Sequence, residues 1–223
     1  MSLPSPMLPD PAAFDEMHRV LGKALVRWQY VETGLYIIAH CLMGTEHQIS
    51  SLAFFQITSA QNKLSFVDRL IFAKLDQRRR VSFWYPLREE ISDAIAFRNS
   101  LAYFEIFSLD KKHMAAMKPP TKYPAALSSH HLDEHKKRHG GSIKALSVEI
   151  INHNSEELRE IAYALIYFAI DHVPNLKSAE ESFPPNLRQY LDSFRKTARP
   201  PEFPPPLKSS REKSRQPKAP SHS

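Results

Sequence analysis

The sequence predicts an all-α protein: an antiparallel helical bundle with a long loop or small hairpin inserted at about 108–150 and a disordered C-terminal tail. Three observations predict it. Glycine is scarce, five in 223 residues, while long stretches keep the 3.6-residue period of amphipathic helices. The eighteen prolines cluster before residue 12, between 119 and 124 and after 173, and only Pro86 falls elsewhere. Finally, Trp84, Leu87, Ile91, Ala94, Arg98 and Leu101 recur at spacings of three and four, the stripe of a packed helix. Arg98 is its one charged member.

Each element has its own signal. Residues 1–9 are rich in Pro and Ser and read as a flexible N-terminus. Asp10-Pro11 is a helix start, an N-cap acceptor followed by proline at the first helical position. Phe14, Met17, Leu21, Ala24, Trp28, Val31, Leu35, Ile38 and Leu42 then alternate at three and four, which predicts a first helix over about 11–43 ending at Gly44. Gly34 falls off that stripe and is expected to be tolerated. Thr45 and Gln48 form a capping-box pair, and Ser59 is a further cap, so 46–76 reads as one bent helix or two. Asp76 to Arg80 reads as a charged turn, and a helix over about 82–103 follows, with Pro86 in its first turn, where proline is accepted. Residues 108–142 lose all periodicity, and the rough alternation of Ile143, Leu146, Val148 and Ile150 suggests a strand at about 143–151. Asn154 or Ser155 is the expected cap of the last core helix, whose segment Ile161–Ile170 is apolar all round and belongs at a bundle centre or subunit interface. Pro174 stops it. The domain reading is therefore a bundle over 10–173, a short helical extension over 174–196 (with one amphipathic helix at Pro185 to Arg195), and a basic Pro-rich tail over 197–223.

The net charge of +6 divides unevenly. From Lys196 onward seven basic residues face two acidic ones, a surplus of +5, which leaves about +1 for everything before. A nearly neutral body argues against broad duplex binding by the domain, because such binding rests on many phosphate contacts. The tail reads as an electrostatic arm for a polyanion or as a solubilising end. A single cysteine, Cys41, excludes an intrachain disulfide framework and reads as a buried thiol. The first residues show no basic and apolar leader pattern, and the longest apolar run is too short to span a bilayer. The expectation is a cytoplasmic protein without a membrane partner.

Arg98 is the leading candidate for chemistry. A guanidinium keeps its charge, so placing it in an apolar stripe demands a partner. One reading is a salt bridge inside the bundle, with Glu32, beside Val31 on the first helix, as the best candidate. The other is a binding site. Here the residues resemble a known family. A helix carrying Trp28, Val31, Glu32 and Leu35, a long middle helical region, and Arg98-Asn99-Ser100-Leu101-Ala102-Tyr103 closing a helix together resemble a HEPN domain over about residues 11–173. The family's signature is an arginine followed by a histidine, often as Arg-Asn-x-x-Ala-His. Arg98 and Asn99 match it, and Tyr103 stands in the histidine position.

The resemblance implies an antiparallel bundle that commonly dimerises, with the arginines of both subunits meeting in a cleft. Many members are metal-independent endoribonucleases of toxin–antitoxin and phage-defence systems, while others are non-catalytic binding modules. No cofactor is expected; RNA, a nucleotide or an antitoxin-like protein are the partners implied. Metal-free RNA cleavage needs a proton-transfer group, which histidine supplies near neutrality, and a cation for the charge on the phosphate, which arginine supplies as a fork. Tyrosine, with a pKa of about 10, is a poor base there. The expectation is a non-catalytic or weakly active dimer that binds through Arg98, Asn99 and Glu32. The alternatives are an active endoribonuclease using Arg98 with Tyr103 or His113, and an interaction module in which Arg98 is locked to Glu32. No metal site is expected; the weak candidates are His131, His135 and His139, which share one face if that segment is helical.

Overall fold

A computed structural model describes residues 11–108, 111–116, 120–129 and 146–197. The expected cap at Asp10, the three candidate metal histidines and the tail beyond Thr197 lie outside the described residues. The described chain is dominated by helices, with one small sheet. Helix α1, Pro11–Met43, is about 50 Å long by its residue count. It ends where expected, at Gly44, whose φ of 63° is the left-handed conformation that a helix C-terminus commonly adopts and glycine accepts freely.

The stretch 46–76 is two helices, α2 over His47–Phe55 and α3 over Ala60–Lys74. Ser59 caps α3 as expected, its Oγ accepting from Asn62 N at 3.4 Å. The Thr45–Gln48 capping box does not form: the N-cap of α2 is Glu46, with no side-chain cap bond. Asp76 makes more than a turn. Its carboxylate accepts from Arg79 N at 2.9 Å and starts a short α4, Gln77–Arg79, which runs into a π-helical turn, Arg80–Trp84, and then into α5, Tyr85–Tyr103.

The insertion takes the hairpin alternative. Strand β1, Phe104–Ser108, begins directly after α5, earlier than the expected boundary. A short α6, Lys111–Ala116, precedes β2, Ala125–Ser129, and β3 is only Leu146–Ser147. The sheet is antiparallel in the order β1-β2-β3, pairing Phe104 with Ser129, Ile106 with Leu127, and Ala126 with Ser147. The strand expected over 143–151 is thus corrected: helix α7, Val148–His172, begins within it, capped by Ser147 Oγ, which accepts from Ile150 N at 3.3 Å. Asn154 and Ser155 lie inside that helix instead of starting it. Val148, Ile151, Ser155, Leu158, Ile161 and Leu165 are buried at spacings of three and four, so the helical period overrides the short alternation. After Pro174 come two helices, α8 at Leu176–Ser182 and α9 at Pro185–Thr197, the second of them the expected amphipathic one.

Helix α1 packs along α7, and α3, α5, α8 and α9 complete the main core around Trp84, Phe168, Phe183 and Leu165. A second core lies at the sheet end, where Ala13, Met17, Val20 and Ala24 of α1 meet Leu101, Leu127, Val148 and Ile151. Phe97 packs against both cores. Gly34 is tolerated within α1, as expected, and it does more. It is buried against α7, and a Cβ there would stand 2.7 Å from Leu165 Cβ, so it sits at a close approach of the two longest helices described. Among the described residues no helix is long and apolar enough to cross a membrane.

Candidate functional site

Helix α5 carries Arg98 as the sequence suggests. Trp84, Leu87, Ile91, Ala94 and Leu101 are all buried, and the arginine among them is half-buried. Its Nε is fully buried and has no hydrogen-bond partner. Its Nη1 donates to Asn99 Oδ1 at 3.3 Å. Among the described residues no carboxylate pairs with it. A buried guanidinium N–H left unsatisfied costs free energy, because the group gave up water and received nothing in return.

The expected internal partner is engaged elsewhere. Glu32 accepts from Lys63 Nζ of α3 at 2.9 Å, and both side chains are well covered. Lys63 also lies 5.3 Å from the Phe54 ring centroid and 5.4 Å from that of Phe55, a position that favours a cation on aromatic faces. The structure therefore brings Arg98 and Asn99 together and sets Glu32 in a separate ion pair. Tyr103 closes α5 at the backbone and His113 falls in α6; the roles expected of their side chains lie outside the described residues.

Beside Arg98, on the next face of α5, lies a cleft that the sequence reading missed. It measures about 290 Å³ between α5 and α7, with Glu90, Asp93 and Phe97 on one wall and His153, Asn154 and Glu157 on the other. Burial pushes the Glu90 carboxyl above its usual range, and the neighbouring charges of Asp93, Glu157 and Glu89 push it further. His153 Nε2 stands 3.4 Å from Glu157 Oε1. The three carboxylates make the cleft unfavourable for a phosphate, and Arg98 is not part of its lining. Among the described residues no group of three or more His, Cys, Asp or Glu side chains is arranged to hold a metal ion. The 3-and-4 spacing of Glu90, Asp93 and Phe97 was visible in the sequence, but their facing α7 was not.

A second polar cluster was also missed. His40, 1% exposed, links three helices: its Nδ1 shares a hydrogen bond with Ser50 Oγ of α2 at 2.6 Å and its Nε2 one with Ser182 Oγ of α8 at 2.9 Å. Tyr36 Oη lies 2.7 Å from His47 Nδ1 and 3.3 Å from Ser50 Oγ. Burial holds His40 below the usual imidazole range. The signal for it was one histidine inside the apolar run Ile37 to Leu42. Cys41 next to it is buried as expected, and burial pushes its thiol up to about 12, which leaves it unreactive at neutral pH.

The fold and site define an all-α bundle with a small sheet at one end and, on α5, an arginine without a counter-ion among the described residues. Set against protein-family models, curated proteins and solved structures, the chain matches none.

Proposed function

We propose that this chain is a HEPN-like, dimeric module with a degenerate motif, non-catalytic or weakly active, which binds RNA, a nucleotide or a protein partner through Arg98 in a cytoplasmic defence or toxin–antitoxin setting. The observation that carries the reading is the state of Arg98: a half-buried guanidinium with an orphaned Nε and no carboxylate partner among the described residues. Such a charge is stabilised by an incoming anion, to which it offers a preset fork. Asn99, at 3.3 Å, orients one arm of that fork. The non-catalytic side is favoured because Tyr103 replaces a group that titrates near neutrality. The rival endoribonuclease reading needs Tyr103 or His113 to move the proton. The reading with Arg98 locked to Glu32 is disfavoured, because Glu32 is paired with Lys63.

The test is incubation of the purified chain with a structured RNA hairpin beside an Arg98→Ala variant. Wild type is expected to leave the RNA intact and to bind it. The variant is expected to bind about 10-fold more weakly while staying folded, since a charge-assisted hydrogen bond contributes on the order of 1.5–3 kcal/mol. Cleavage that disappears in Arg98→Ala would overturn the non-catalytic reading. Sedimentation as a monomer at micromolar concentration would overturn the dimer.

A further inference from the structure

A different corner of the molecule, where α3 ends and α5 begins, joins aromatic rings to basic groups. Phe72, near the end of α3, is 67% exposed, the most exposed large apolar side chain described. Val81 and Tyr85 are exposed on the connecting turn and the first residue of α5. One face of the Phe72 ring is covered by Arg80, whose guanidinium carbon stands 4.4 Å from the ring centroid. Arg80 Nη1 donates to the Phe72 carbonyl at 3.0 Å, and its Nε is buried without a partner. Arg80 is thus spent on holding the ring in place. The corner is rigid: Trp84 Nε1 donates to Asp68 Oδ1 at 2.7 Å, and Arg88 Nε lies 3.3 Å from Asp68 Oδ2, which ties the start of α5 to α3 one turn before Phe72. The backbone between them is the π-helical turn, a rare geometry that occurs frequently at functional sites.

The charges near the rings in the chain are of two kinds. Asp68 is matched by Arg88, and Asp76 by Arg79 at 3.2 Å. Arg69, one turn before Phe72, and Lys74 and Arg78 beyond it are exposed and have no carboxylate partner among the described residues. An exposed ring braced on one face by a guanidinium, with cations close by in the chain, offers what single-stranded nucleic acid requires: a platform for a base and charges for the flanking phosphates. A membrane surface fits less well. One arginine here is stacked on a ring, and the apolar groups sit on a bent, short-turned corner with no long amphipathic face to lie in an interface.

We propose that the α3–α5 corner is a binding surface for single-stranded nucleic acid, with a base stacked on Phe72, a second on Tyr85, and backbone phosphates held by Arg69, Lys74 and Arg78. The surface lies on the α3 side of the bundle and stands independently of the reading of Arg98. Stacking makes it select single strands over duplexes, a discrimination that the basic tail, acting through charge alone, does not provide.

The experiment uses the full chain and measures the anisotropy of a labelled oligouridylate and of a duplex of equal length at matched salt. Wild type is expected to prefer the single strand. Phe72→Ala is expected to weaken single-strand binding about 10-fold and leave duplex binding unchanged, as expected for one lost stacking contact. Arg69→Glu with Arg78→Glu is expected to weaken both and flatten the salt dependence. Photocrosslinking through 4-thiouridine is expected to label the segment 69–88. Arg98→Ala is expected to keep the single-strand preference, so failure at either surface is told apart from failure at the other. Equal affinity for single strand and duplex overturns the proposal, as does full single-strand affinity in Phe72→Ala. Loss of self-association or of anionic-vesicle binding in Phe72→Ala, with oligonucleotide affinity intact, overturns it in favour of a protein or lipid surface.

Discussion

Gly34→Ala is expected to destabilise the protein, while Gly22→Ala, twelve residues earlier on the same helix, is expected to stabilise it. Both changes gain helix propensity, about 1 kcal/mol for glycine to alanine in a helix interior. At Gly22 nothing lies within 4 Å of the new Cβ, so the gain stands. At Gly34 the new Cβ meets Leu165 Cβ at 2.7 Å, with Leu165 Cδ1 at 3.2 Å. The obstacle is the root of a fully buried side chain rather than a flexible tip, so α1 and α7 must separate. Overpacking of this kind costs roughly 1–3 kcal/mol, and Gly34→Val, branched at the same point, belongs at the top of that range or above. Urea denaturation midpoints measure the three variants. A Gly34→Ala protein as stable as wild type would mean that the two helices do not approach this closely.

Acidification is expected to destabilise the protein in two separate steps. Burial depresses the imidazoles of His40 and, in the last turn of α7, His172. The unfolded chain therefore takes up protons at His40 and His172 near pH 6.5 while the folded one refuses them. Their contribution is fully present above about pH 6.5 and is lost as pH falls through the depressed folded values. The lower step belongs to Glu156, whose carboxyl is drawn down to about 2 by its hydrogen bond to Arg27 and then by Lys23. It stabilises above the ordinary carboxylate range and ceases to do so as pH falls through about 2. His40→Gln is expected to shrink the upper step and leave the lower one alone. Denaturant midpoints taken from pH 8 down to pH 2 measure both, and an upper step of undiminished size in His40→Gln would remove His40 from the account.

The long helices were legible because periodicity is a local signal. The stripe from Phe14 to Leu42 marks α1 to its last turn, and Ser59 and Gly44 mark ends whose chemistry is written in one residue. The errors came from signals that compete over short range. Thr45-x-x-Gln satisfies the capping pattern, yet the N-cap falls one residue later, at Glu46. Val148 and Ile150 alternate with polar neighbours as a strand does, yet Ser147 caps a helix there. At the site, the burial of Arg98 followed from its place in a stripe. Its partner did not, because Glu32 chooses among cations on other helices, and Lys63 lies across from it on α3. Gly34 and the cleft of Glu90, Asp93 and Glu157 depend on which face of α7 meets which helix, a fact held in no single segment.

Phe97 touches both hydrophobic cores, and its neighbour in sequence is Arg98. Proteins breathe in parts, and each amide exchanges its proton with solvent through the cheapest opening that reaches it. The amides of residues 97–101 therefore answer to whichever body, bundle or sheet end, comes apart more readily. The sheet end is the smaller, closed over strands of five, five and two residues. Opening of the sheet end is therefore expected to release the amides of residues 97–101 sooner than those of the earlier turns of α5, an order that hydrogen exchange measures.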